Sequence, residues 1–485
     1  MSKNETSGKV IASNFLWNLM ERWGAQGVTF IVSVILARLL DPSAYGIVAM
    51  ASVFTAILGV FIDSGLGSAL VQKKDNDEKD FSKVFFFNVF MCTVLYIIMF
   101  FAAPLIADFY GMSDLTAVVR VASLTLIISG FKNILISRIQ RKLHYKKFFF
   151  ATLGGTIGAA FIGVFMAFKG FGVWALVTQS LFNGTVDTII LWITEKWKPE
   201  LYFSWKRLKV LFSFGIKMLG SSLVDTIYSK LRNLIIGKKY SAEDLAYYDK
   251  SSGWPNLVFV NIGGAVDSVM FPVMSRAQDD KSQVKSLMSK TIRVNTFVVF
   301  PLLAGLAVCA EPAIVLILTS KWLPLLWYMR IFCVTSGCDA IHNTQMNMIR
   351  SIGRSDLFLL MNFIKKAIGI AALLITMWIS VLAMAVSLIA VKLIELTINF
   401  FIVRKLLDYP ILEQIKDFAI NILLCIIMIV PIIFISFINM PNLVKLLIEI
   451  TVGAGVFFFA AKIIKLDSFE YVKKIASSLF RRKKL

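Results

Sequence analysis

The sequence predicts an all-α integral membrane protein with about 14 transmembrane helices, on three observations. Hydrophobic residues make up 58% of the 485-residue chain and charged residues only 17%. Soluble domains run at roughly 45–50% and about 25%. Apolar windows of the ~20 residues that a span requires recur along the whole chain. Lys and Arg alternate in step with those windows.

The windows lie near 14–38, 45–68, 84–106, 115–137, 148–168, 171–194, 210–236, 252–274, 291–309, 327–349, 357–378, 381–403, 418–438 and 443–464. The stretch from Glu311 to Pro324 is also apolar and lies between windows nine and ten. Alternate connections, counted from the N-terminus, hold 34 Lys and Arg. The intervening ones hold 5, namely Lys169, Lys238, Lys239, Lys250 and Lys321. The excess marks the cytoplasmic side and places both termini there. The net charge of +21 is therefore a topology signal and not a nucleic-acid footprint. The first window is too long for a signal-peptide core and contains Glu21 and Arg22, so no cleavable leader is expected. The five cysteines (Cys92, Cys309, Cys333, Cys338, Cys425) have no ligand spacing and read as small buried hydrophobes.

The chain resembles itself at an offset of about 207 residues. Ser82-Lys83 with Asn88 matches Ser289-Lys290 with Asn295, and Ala103-Pro104 matches Glu311-Pro312. Arg120 matches Arg330, Asp63-Ser64 matches Asp267-Ser268, and Asp187 matches Glu395. A six-span unit returns the chain to its starting side, so the halves run parallel, and transporters built this way bind substrate at the repeat interface. The expected divisions are 1–205 (spans one to six), 206–405 (spans seven to twelve), 406–466 (spans thirteen and fourteen) and 467–485. The last has apolar and basic residues at helical spacing and reads as an amphipathic helix on the anionic inner leaflet.

Twelve Lys or Arg fall inside the spans. Each costs ~2.5–3.5 kcal/mol at a bilayer centre even on gentle scales, and such residues usually face a bundle interior or a watery cavity. Span one carries Asn14, Asn18, Arg22 and Gln26, then Thr29 and Ser33, at near-helical spacing. Span seven, its partner in the repeat, carries Ser213, Lys217, Ser221, Asp225 and Ser229, with Lys230, Arg232 and Asn233 beside them. Residues four apart share a helix face. A row over several turns favours a cavity wall over polar glue between helices.

Arg38, Arg120 and Arg330 lie near outer ends, where snorkelling is the alternative. Lys132 has the same ambiguity at the inner end of span four. Lys392 and Glu395, one turn apart, allow a local ion pair. The candidate substrate contacts are thus Arg22, Lys217, Arg232, Lys230, Arg38, Arg120, Arg330, Lys392, Asn18, Gln26 and Ser221. Intramembrane acids suit proton or sodium coupling, since desolvation raises a carboxyl pKa. Those candidates are Asp225, Asp339 (with His342 nearby), Glu395, Asp187, Asp63 and Asp267.

Enzyme signatures are weak. No Walker loop follows a strand, and no His or Cys cluster has metal spacing, so neither cofactor nor metal is called for. Asp75-Asn76-Asp77 matches the acidic triplet of many glycosyltransferases, but its loop is too short for a nucleotide-sugar domain.

Leu36-Ala37-Arg38-Leu39-Leu40-Asp41-Pro42, Tyr45-Gly46 and Asp63-Ser64-Gly65-Leu66-Gly67 form the N-terminal part of one set of motifs. Arg138-Ile139-Gln140-Arg141, Gly172-Val173-Trp174-Ala175-Leu176-Val177, Pro272-Val273-Met274-Ser275-Arg276 and Lys321-Trp322-Leu323-Pro324 follow in order. The set resembles the polysaccharide transporter family, Wzx-type oligosaccharide flippases of the multidrug/oligosaccharidyl-lipid/polysaccharide exporter superfamily. It is most similar to the branch of colanic acid and teichuronic acid exporters.

The resemblance implies two six-helix lobes in a V with alternating access, in a bacterial cytoplasmic membrane. It implies undecaprenyl-pyrophosphate-linked oligosaccharide as substrate for O-antigen, capsule or exopolysaccharide assembly, and polymerase and chain-length machinery as partners. Spans thirteen and fourteen then offer a groove for the lipid tail. A cation-coupled multidrug antiporter or a lipid II flippase of the same fold are the alternatives, and a membrane glycan enzyme is a more distant one. On the preferred reading, Arg22→Ala and Lys217→Ala each impair export while the protein still inserts. Wild-type surface polysaccharide in both mutants would refute that assignment.

Overall fold

The computed structural model describes the backbone of residues 8–62, 70, 78–142, 144–200 and 205–481. Side chains at 8–23, 205–218, 265, 267 and 475–481 lie outside the described set. Among the described residues the chain is built of helices. They are α1 (Gly8–Leu39), α2 (Pro42–Ile62), α3 (Glu78–Tyr110), α4 (Leu115–Ala122), α5 (Leu124–Lys142), α6 (Tyr145–Phe168), α7 (Val173–Glu195), α8 (Trp205–Lys239) and α9 (Ala242–Ser251). There follow α10 (Gly253–Arg276), α11 (Lys281–Val308), α12 (Ala310–Ile317), a 3₁₀ turn (Ser320–Leu325), α13 (Leu326–Ser351) and α14 (Ser355–Thr376). The last are α15 (Val381–Leu407), α16 (Ile411–Ser436), α17 (Asn442–Ile463) and α18 (Asp467–Arg481).

Ten stretches among the described residues are helices long and apolar enough to cross a membrane, against 14 windows read from the sequence. Helices α7, α8 and α13 are as long, but carry polar residues along their length. The protein is therefore an all-α multi-pass membrane protein. The short α12 occupies the ambiguous apolar stretch after window nine.

Local chemistry sets the helix ends. Asp280 caps α11, its Oδ1 accepting from the amides of Ser282 and Gln283 at 2.9 and 3.0 Å. Ser380 caps α15, its Oγ accepting from Ala383 N at 3.0 Å. Gly353, at φ 78, takes the left-handed conformation that lets the chain turn from α13 into α14.

The chain divides into two compact units, Met1–Ala246 and Tyr247–Leu485. Within the first, α3 packs on α5, α5 on α7, α6 on α7, and α8 on α2 and α3. Within the second, α11 packs on α13, α13 on α15, and α14 on α15. Three helix pairings thus recur at the sequence-repeat offset.

One core of the first unit gathers Phe81, Phe85, Leu135, Leu191 and Trp197. Arg138 enters it sandwiched 5.3 Å from the Phe81 ring and 5.0 Å from Trp197, and is paired with Glu78. A guanidinium tolerates that position because its flat faces stack on rings while its edge meets a carboxylate.

In the second unit a polar seam, buried at Asp417, Asn421 and Thr296 and exposed at Arg293, fastens α16 to α11. Arg293 Nε donates to Asp417 Oδ1 at 2.7 Å, and the Tyr409 hydroxyl donates to the same carboxylate. Burial first, and then that carboxylate, hold the Tyr409 phenol pKa above its ordinary value. Asn421 Nδ2 reaches Thr296 Oγ1 at 2.8 Å and Arg293 O at 3.1 Å. Helix α18 begins by packing Phe469 and Val472 on the apolar cluster of Phe297, Met428 and Phe457. Among the described residues its apolar face therefore meets protein.

Gly46 is where α2 meets the start of α9. A Cβ there would lie 1.8 Å from the Ala242 carbonyl oxygen. Gly46→Ala is expected to destabilise the protein by about 1–3 kcal/mol through overpacking. Gly59→Ala on the same helix, with nothing within 4 Å, is expected to be neutral. Thermal midpoints in detergent check the contrast.

Candidate functional site

Helices α2, α5 and α8 enclose a cavity of about 270 Å³ inside the first unit. Its walls combine four hydroxyls (Ser52, Thr55, Thr125, Ser129) with the Lys230 ammonium and the small or apolar Ala56, Gly59, Ile62 and Leu126. Spacing brings the hydroxyls together, since Ser52 with Thr55 and Thr125 with Ser129 are each about one helical turn apart. Three of them donate to carbonyls of their own helix: Ser52 to Ala49 at 2.7 Å, Thr125 to Ala122 at 2.7 Å, and Thr55 to Ser52 at 3.3 Å. A hydroxyl whose proton is so engaged still offers lone pairs. The wall therefore accepts hydrogen bonds from hydroxyl-rich guests, and Lys230 adds a positive charge. Gly59 leaves room: a Cβ there would touch nothing within 4 Å.

Two residues along α8, Arg232 is only 6% exposed. Its Nε and Nη2 have no hydrogen-bond partner among the described residues. A buried guanidinium with idle donors is costly and marks a site of function or strain. Residues two apart on a helix do not share a face, so Lys230 and Arg232 serve different sides of α8.

The other predicted charges mostly find partners. Lys132 on α5 pairs with Asp187 on α7, which is 3% exposed. At the position that matches Lys132 the second unit carries an acid. Asp339 on α13 accepts from Lys392 on α15 at 2.6 Å. Lys392 also lies 3.4 Å from Glu395, and Lys365 on α14 reaches the same Glu395 oxygen at 3.5 Å. Asn399 Nδ2 lies 2.8 Å from His342 Nδ1 beside them. Lys392 is thus engaged in an ion network of two cations and two acids. Charge pairing on this scale removes the insertion penalty that each group would carry alone.

Arg120 and Arg330 form a second matched set. Arg120 Nε donates to Phe100 O at 3.1 Å. That carbonyl lies four residues before Pro104, which has no N–H to offer it. Arg330 Nε donates to Ala307 O at 3.1 Å, in the last turn of α11, where carbonyls also lack helical partners. Each arginine additionally lies over an aromatic ring, Phe100 at 4.3 Å and Trp327 at 4.9 Å.

Gln26 is half-buried, and Arg38, Ser221 and Asp225 are exposed. Arg22, Asn18, Lys217 and Asp267 have side chains outside the described set, and Asp63 lies outside the described residues altogether. The cavity hydroxyls and Lys365 were not singled out from the sequence. Ser and Thr in membrane helices are common packing residues, so only a shared cavity distinguishes these four.

An apolar groove of about 560 Å³ runs between α11, α13, α15 and α16, lined by Phe300, Val334, Leu396, Phe418, Ile422 and Ile426 among others.

The fold is that of a multi-pass helical membrane protein with a cavity of hydroxyls and one ammonium. The chain is a member of the polysaccharide biosynthesis protein family, whose sequence profile matches residues 35–327. It is 24% identical over 349 residues to the succinoglycan biosynthesis transport protein ExoT of Rhizobium meliloti, covering 72% of this chain and 70% of that one. It is 24% identical over 308 residues to the teichuronic acid biosynthesis protein TuaB of Bacillus subtilis, covering 62% and 63%. It is 19% identical over 393 residues to the lipopolysaccharide biosynthesis protein WzxC of Escherichia coli, covering 79% and 80%. Among solved structures, the lipid II flippase MurJ in an inward closed conformation superposes with a TM-score of 0.76 at 16% identity, covering 93% of this chain and 98% of that one. An inward-facing multidrug resistance MATE transporter superposes at 0.62 with 13% identity, covering 78% and 94%. The chain is thus a multi-pass helical membrane protein of the polysaccharide biosynthesis protein family, and the solved structures show the fold that it shares with them.

The Lys132–Asp187 pair is testable. Lys132→Ala strands a buried carboxylate and is expected to cost about 3–5 kcal/mol. The double change Lys132→Met with Asp187→Leu is expected to restore most of the loss. Membrane yield and detergent thermal midpoints report both, and equal destabilisation by the single and double changes would contradict it.

Proposed function

We propose that this protein moves undecaprenyl-pyrophosphate-linked oligosaccharide repeat units from the inner to the outer leaflet of a bacterial cytoplasmic membrane, by alternating access. The observation that carries the reading is the cavity of four hydroxyls and Lys230 in the first unit. Sugar hydroxyls suit the lone pairs of Ser52, Thr55, Thr125 and Ser129. A pyrophosphate needs cations to replace its water on the way through oil, and Lys230, Arg22 and Lys217 lie on the two helices with polar rows. Arginine adds bidentate phosphate contact. Arg232, whose Nε and Nη2 have no hydrogen-bond partner among the described residues, carries a further charge on another side of α8.

The prenyl tail needs no polar path. The apolar groove fits it, and α16, one of the two helices outside the repeat, forms part of its wall. This supports a lipid-tail role for the 406–466 segment. The polar headgroup and the tail thus travel in separate surroundings, each matched in polarity. The energy for net export comes from an ion gradient or membrane potential, or from consumption of the product outside. Among the acids, Asp339 and Glu395 are the coupling candidates that share a charge network. Polymerase and chain-length machinery then act on the exported unit.

Deleting the protein is expected to leave lipid-linked repeat units on the inner leaflet. Complementation with Lys230→Met is expected to lower export about tenfold or more, the loss of one charge-assisted hydrogen bond. Gly59→Leu, which fills the cavity without touching a charge, is expected to do the same. Wild-type export by both variants, at normal protein levels, would overturn the reading. Rescue of peptidoglycan synthesis in place of surface polysaccharide would favour lipid II as substrate.

A further inference from the structure

A second polar cavity lies wholly within the second unit and has no part in the reading above. It measures about 240 Å³ and sits between α13 and α14, beside the turn that joins them. A single water needs only ~10–15 Å³ of such space. Arg350, Lys365, His342, Asn343, Asn347 and Asn362 line it, with Met346 and Phe358, and no carboxylate does.

The donors outnumber the acceptors. Asn399 Nδ2 and His342 Nδ1 lie 2.8 Å apart, so one ring nitrogen of this buried imidazole is engaged on α15. Lys365 brings an ammonium whose carboxylate partner, Glu395, lies outside the lining. Arg350 donates to Asn347 and lies 5.1 Å from the Phe358 ring and 5.5 Å from Phe271, but pairs with no carboxylate among the described residues. The half-buried Asn343 amide has no hydrogen-bond partner among the described residues. Two cations, an imidazole and the Asn343 amide line one cavity. That is the donor set for a phosphate-class anion.

We infer that this cavity is a binding site for a phosphate or pyrophosphate group, separate from the first-unit cavity. The group comes either from a lipid headgroup or from free phosphate. Its arrival at Lys365 competes with Glu395, so occupancy weakens one arm of the buried ion network. The site thereby offers a contact through which an anion loosens α14 from α15. The inference does not rest on oligosaccharide export, and a binding assay tests it independently.

The purified full-length protein in nanodiscs of zwitterionic lipid is titrated calorimetrically with inorganic pyrophosphate. Wild type is expected to bind, more weakly as salt rises. Arg350→Gln is expected to weaken binding about tenfold. Asn343→Asp, nearly isosteric, puts a like charge in the wall and is expected to abolish it. No binding by wild type, or equal binding by all three proteins, overturns the site. The same titration at one matched salt concentration, in zwitterionic nanodiscs and in nanodiscs containing phosphatidic acid, separates the sources. Suppression by phosphatidic acid identifies a lipid headgroup as ligand, and unchanged binding identifies the free anion.

Discussion

Charge inside an apolar helix bundle must be neutralised locally, and this constraint organises the molecule. Lipid offers no solvation and little screening, so each ionised group needs a partner within reach or a function that justifies its cost. The first unit answers with Lys132 against Asp187 and Arg138 against Glu78. The second answers with Lys365 and Lys392 against Asp339 and Glu395. Backbone polarity is handled by the same rule. Arg120 and Arg330 meet carbonyls that a proline or a helix end deprives of their usual partner. Among the described residues two cations of α8 stand out against that background: Arg232, whose Nε and Nη2 have no partner there, and Lys230, which lines a hydroxyl-rich hollow.

At matched sequence positions the two units keep some of these charges and change others. Lys132 and Asp339 occupy matched sites on α5 and α13, and carry opposite charge. Asp187 and Glu395 keep theirs on α7 and α15. With Asp339 in place of a cation, two acids share the Lys392 ammonium. Lys392 and Lys365 restore balance, one from α15 itself and one from the neighbouring α14. The larger network follows from one change of sign.

Much of the architecture was legible in the sequence, because hydropathy and charge alternation are summed over many residues. The helical, multi-pass character follows from periodicity, although ten qualifying stretches stand among the described residues against the 14 windows read. Partner choice was not legible. Glu395, one turn from Lys392, invites a local pair, yet the nearer oxygen belongs to Asp339 on another helix. Likewise Arg120 and Arg330 read equally well as snorkelling residues, and only the fold brings a carbonyl to each. The hydroxyls of the first cavity were invisible for a different reason. Ser and Thr satisfy themselves on their own helix, so nothing in their spacing announces a shared hollow.

The seam that joins α16 to α11 bears on how such a chain can gain or lose length. Asp417 and Asn421 each complete a bond begun on α11, and Arg293 and Thr296 have no use for lipid in their place. A shorter ancestor or a trimmed design cannot simply stop after α15. It would also have to rewrite the outward face of α11 as plain hydrocarbon. The terminal pair of helices is in this sense grafted in and not merely appended, and its border is recorded in residues more than a hundred positions upstream.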